Sequence, residues 1–80
     1  MGIRNIFDVV GVCTYKAYST SKAELEVHVT DRRGTVHTLV AYGRDADLYF
    51  SYMYVHNTYR IKLCHHDTYG TVICGVEFIR

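Results

Sequence analysis

Two short stretches of this chain gather side chains that could do chemistry, and spacing limits what that chemistry can be. The first is Cys64, His65 and His66, with Cys74 further along. Thiolate and imidazole are zinc ligands. Adjacent residues on a strand point to opposite sides, however, and no second paired-ligand motif closes a tetrahedron, so neither a metal nor a cofactor is expected. A Cys64–Cys74 disulfide requires a loop register that sets the two opposite each other, and free thiols in or beside the core are the expected state. Cys13 lies in an apolar run where a cysteine packs, and no motif orients it toward any of the five histidines. There is no glycine-rich phosphate loop and no well-spaced carboxylate pair, so no catalytic residue is expected and the chain does not read as an enzyme.

The second stretch is Tyr15, Lys16, Tyr18 and Lys22, with Tyr69 joining His65 and His66 from the far end of the chain. Aromatic rings in loops can stack on unpaired bases, each worth ~1–3 kcal/mol, while lysine and arginine follow a phosphate backbone. The competing role for Tyr15 and Tyr18 is packing at a strand end, and for Tyr69 lying on its own hairpin.

The elements that must position these residues are mostly strands. Residues 6–17 form a long apolar first strand interrupted by Gly11, which marks a bulge or a bend that lets one strand pair with two neighbours; residues 1–5 read as a loose end. After a polar connection over 18–23, residues 24–30 alternate with Leu25, Val27 and Val29 on one face and Glu24, Glu26, His28 and Thr30 on the other, the period of a half-buried antiparallel strand. Asp31 and Gly34 bracket a turn. A returning strand over 35–42 presents either His37 and Leu39 or, in the other register, Val36 and Thr38 to the outside.

Gly43 ends that strand and Asp45 is the expected N-cap of a helix over 46–55. Ala46, Tyr49, Phe50 and Met53 face the core, while Leu48, Tyr52, Tyr54 and Val55 lie outside. Were 46–55 a strand instead, a small SH3-like barrel binding peptides would follow. Residues 58–64 put Tyr59, Ile61 and Leu63 inward against Arg60, Lys62 and Cys64. A hairpin loop spans 65–70, and a last strand over 71–79 turns Val72, Cys74, Val76 and Phe78 inward.

Eighty residues hold one small domain, 1–80, with one core. The absence of proline and the eight tyrosines favour strands. A net charge of +1 argues against binding nucleic acid mainly by neutralising many phosphates, so stacking would have to contribute. The apolar runs fall far short of the ~20 residues of a membrane-spanning helix, so no membrane partner is expected. Three cysteines, an odd count, without an apparent signal peptide suggest a reduced intracellular setting, nucleus or cytoplasm.

Strand order and three local patterns resemble a known family. They are Asp8-Val9-Val10-Gly11-Val12 in the first strand, Asp31-x-x-Gly34 between the second and third, and Tyr42-Gly43-x-x-Ala46 at the helix entry. Together they resemble the single-stranded-DNA-binding oligonucleotide-binding (OB) domains of replication protein A and of telomere-end-binding proteins, although tryptophan and a four-cysteine zinc ribbon are missing. The resemblance implies an all-β fold with one short helix, a five-stranded OB-fold Greek-key barrel in the order β-β-β-α-β-β. It also implies non-enzymatic binding of single-stranded nucleic acid, DNA by family likeness, in replication, repair or telomere maintenance. The face would comprise His28, His37 and Leu39, flanked by Tyr15, Lys16, Tyr18 and Lys22 and by His65, His66 and Tyr69, with Arg60 and Lys62 on the fourth strand. The alternative is an OB-fold interaction subunit or homodimer of such an assembly, joined through Leu48, Tyr52 and Val55 on the helix face.

Overall fold

The computed structural model describes residues 3–79, with side chains from Phe7 onward. Five strands and one helix follow in the order β1 (Ile3–Ser19), β2 (Glu24–Thr30), β3 (Val36–Tyr42), α1 (Arg44–Tyr52), β4 (Thr58–His66) and β5 (Gly70–Ile79). The strands form one antiparallel sheet in the order β3-β2-β1-β4-β5. β3 and β5, its two edges, come into contact without forming a ladder among the described residues, so the sheet curls but does not close.

β1 holds the sheet together because it is long enough to serve two neighbours. Its first part pairs with β4 from Ile3 to Val12, so residues 3–5 are strand rather than the expected loose end, and its second part pairs with β2 from Val12 to Ser19. Register shifts fall at Asn5/Phe7 and Cys13/Tyr15, on either side of Gly11 rather than at it. Gly11 serves a close crossing: a Cβ there would sit 2.4 Å from the Thr30 carbonyl oxygen.

Alternation in β2 matches its burial, with Leu25, Val27 and Val29 fully enclosed. The turn is built as its residues require. The Asp31 carboxylate accepts the Arg33 and Thr35 N–H groups at 2.9 and 3.0 Å, and Gly34 takes φ 89°.

α1 differs from expectation at both ends. Its N-cap is Gly43, at φ 68°, with no side-chain cap; Asp45 sits in the first turn, where a carboxylate complements the helix dipole. The helix stops at Tyr52, and Val55 packs against the core instead of the outside. Ala46 and the C-cap Met53 are fully buried, with Tyr49 and Phe50 beside them, so the apolar stripe does cover the core. The free carbonyls at the helix end are met from β1: Lys16 Nζ donates to the Phe50 and Met53 carbonyls, each at 2.7 Å, and lies 4.3 Å from the centre of the Phe50 ring.

Tyr59 is the largest fully buried side chain. Its hydroxyl accepts the Tyr54 N–H at 2.7 Å and the Asn57 amide at 3.3 Å, so burial leaves the oxygen satisfied. The last strand departs from simple alternation. Ile73 pairs with Leu63 and Gly75 with Lys62, leaving Cys74 as an extra, bulged residue. The bulge shifts the phase by one, so Ile73 enters the core in place of Cys74; Val72 is buried as expected at 8% exposure, Val76 packs partly against the core and Phe78 is 45% exposed. It also sets Cys74 against Cys64, with Cα atoms 5.9 Å apart, and the two are joined in a disulfide rather than left as free thiols. Cys13 is a buried free thiol whose pKa is pushed up by burial.

Candidate functional site

Pairing between β2 and β3 decides which side chains face outward. His28 lies opposite Thr38, Glu26 opposite Val40 and Glu24 opposite Tyr42, whereas Val27 faces Leu39 and Val29 faces His37. The outward set is therefore Val36, Thr38, Val40 and Tyr42. Leu39, at 7% exposure, belongs to the core, which corrects its expected place on the surface. His37 is withdrawn as well. Its Nε2 lies 3.0 Å from the Asp31 carboxylate at the turn, and this contact is the main reason that the Asp31 carboxyl is held below the usual carboxylate range, burial opposing it.

Two flanking residues also serve other purposes. Lys16 is committed to the end of α1. Tyr18 stacks on Phe50 with ring centres 5.4 Å apart and packs against the core, so it is a packing residue. Lys22 stays exposed in the β1–β2 connection. Arg60 and Lys62 are exposed on β4, two strands from β2; Arg60 approaches Glu77 at 3.7 Å, and the Lys62 stem covers Gly75. His65 and His66 belong to β4 rather than to the expected loop.

The remaining candidates form two aromatic stations. At one, Tyr15, 46% exposed, lies against His28 with ring centres 4.6 Å apart, and His28 Nε2 is 2.6 Å from the Glu26 carboxylate. At the other, Tyr69 from the β4–β5 hairpin stacks on Tyr42 at 4.3 Å and 15°, with the His66 ring 5.0 Å from Tyr69 on the same hairpin. The His66 Nδ1 accepts the Thr68 N–H at 3.1 Å. A 140 Å³ cavity lies beside this second stack, lined by Tyr42, Asp45, Tyr69 and the Cys74 end of the bridge among others.

Tyr42 is the site residue that sequence reasoning missed. In the sequence it marks only the helix entry, because its contact with Tyr69 joins segments far apart in the chain. Thr38, which pairs with His28, and Tyr42 are four residues apart on β3, so the stations are separated by roughly 13 Å along the strand. Between them lie Val40 and Glu26, with Glu24 opposite Tyr42, a surface poorly suited to dense phosphate contact.

Among the described residues no group of three or more histidine, cysteine, aspartate or glutamate side chains is placed to hold a metal ion, and no helix is long and apolar enough to cross a membrane. Comparison with protein-family models, with curated proteins and with solved structures finds no match to this chain.

Proposed function

We propose that the chain binds single-stranded nucleic acid, DNA by its resemblance, without catalysing a reaction, and that its curled sheet is an OB barrel left open between β3 and β5. The order β3-β2-β1-β4-β5, with a helix before β4 packed on the core, supports the OB reading. One observation carries the functional reading: the Tyr42–Tyr69–His66 stack, formed between a sheet edge and a hairpin, with Tyr69 52% exposed. Stacking favours unpaired bases of any sequence, and the near-neutral charge implies few phosphate contacts and a shallow salt dependence. Fluorescence anisotropy with labelled oligonucleotides at low salt tests this, and absence of micromolar binding overturns it.

A second observation favours the interaction-subunit reading. Leu48 and Tyr54 are 60% and 61% exposed, and Tyr52, Tyr54, Tyr59 and Phe78 line a 240 Å³ cleft. Exposed apolar groups of this density mark contact surfaces. A dimer by light scattering, with no oligonucleotide affinity, would select that reading, in which the chain joins a replication, repair or telomere assembly.

A further inference from the structure

β1 outlasts its neighbour, and part of its backbone is left without a partner. On the β4 side it is paired from Ile3 to Val12, but on the other side pairing with β2 begins only at Val12, opposite Thr30. Beyond Thr30 the chain turns away at Asp31. Among the described residues no ladder or other backbone hydrogen bond reaches residues 7–10 from that side. In antiparallel pairing every second residue directs its N–H and C=O to one side, so a row of these groups faces outward here.

A cavity of about 510 Å³ occupies that space. One wall is formed by all four residues of 7–10, and Asp31, Arg32, Arg33 and His37 complete the lining. Successive strand side chains point to opposite faces, so a cavity that touches four in succession runs along the strand's edge and not across one face. A 290 Å³ cavity continues past Val10 to Val12 and Thr30, where β2 takes over as partner. Phe7 and Val10, 48% and 44% exposed, supply apolar surface.

The wall across from the strand carries two arginines, Arg32 and Arg33, beside one acid, Asp31. Asp31 is engaged by the Arg33 and Thr35 N–H groups and by His37, while no ion pair engages Arg32 or Arg33 among the described residues. Asp8, the acid of the strand, lies opposite Lys62 in the β1–β4 ladder.

We infer that this edge accepts an extended acidic peptide from a partner protein as an added strand, its backbone pairing with residues 7–10 and its carboxylates meeting Arg32 and Arg33. Both donors and acceptors of the edge are satisfied by a peptide, whereas a phosphodiester strand can only accept and leaves the carbonyls unpaired. A second copy presenting the same edge would bring its own Arg32 and Arg33 against these. Four residues span about 13 Å, which sets the length of the contact. The inference is independent of nucleic-acid binding at the aromatic stations.

The test is backbone amide NMR of the full chain titrated with a blocked heptapeptide alternating glutamate and valine. The expected result is a set of shifts confined to residues 7–12 and 31–33, with affinity about tenfold weaker for the Arg32→Ala, Arg33→Ala double variant and for the lysine-valine peptide. The glutamate peptide N-methylated at every residue is expected to lose binding, since neither of its edges can donate to the ladder. Equal binding of the lysine peptide or the N-methylated peptide overturns the inference. So does movement of these same amides by an oligothymidine when the acidic peptide leaves them unmoved.

Discussion

Replacing Cys64 and Cys74 by alanine removes a covalent link between β4 and β5 and returns a closed loop to the unfolded ensemble. The two cysteines are 10 residues apart. Loop-closure entropy for that length is about 9 cal/mol/K, or about 2.7 kcal/mol at 25 °C. An 80-residue domain unfolds with an entropy of about 170 cal/mol/K near its midpoint, so the expected fall in Tm is about 16 °C. Cys64 is only 3% exposed, and its lost packing adds to the effect. Thermal melts followed by circular dichroism, comparing the oxidised protein with the double variant, measure this. A drop of less than about 6 °C refutes the argument, because it would mean that the bridge does not constrain the unfolded chain by even ~1 kcal/mol. The bridge and the intracellular setting expected from composition make opposite demands on redox conditions. Trapping free thiols in intact cells, followed by mass measurement, reads out which holds.

Lys16→Met keeps the stem but removes the ammonium from the Phe50 and Met53 carbonyls, and urea denaturation is expected to show a loss of about 1–2 kcal/mol. Gly11→Ala drives a Cβ into the Thr30 carbonyl and is expected to cost about 3 kcal/mol or to prevent folding, read by the same denaturation curves. The Asp31 carboxyl is held low by His37, so its contribution to stability is full above the unfolded pKa of ~3.9 and is lost as pH falls through the lower folded value. Asp31→Asn is therefore expected to flatten the decline of Tm on the acid side of pH ~4, and an unchanged acid limb would contradict that role.

Local patterns predicted what depends on local physics. The alternation of residues 24–30, the Asp31 and Gly34 turn and the core stripe through Ala46, Phe50 and Met53 are each properties of one element, and each holds in the structure. β3 was ambiguous because both of its faces carry apolar residues; pairing with β2 chose the register and sent Leu39 inward. In β5 the bulge at Cys74 reversed the phase, and an extra residue leaves no trace in an apolar run. The helix start moved to Gly43 because the backbone there takes a positive φ, a demand that overrides a side-chain cap. The contacts of Lys16, Tyr18 and Tyr42 are not legible in the sequence for one reason: each is made with a partner remote in the chain, at Met53, Phe50 and Tyr69 respectively.

The stacking face itself is tested most directly by comparing oligonucleotide binding of the intact chain with Tyr69→Ala and Tyr15→Ala variants at two salt concentrations. The expected result is micromolar affinity that changes little with salt and weakens by about 1–3 kcal/mol on loss of the Tyr69 ring, with a smaller loss at Tyr15. Binding that is absent, or that is unaffected by Tyr69→Ala and falls steeply with salt, would contradict it.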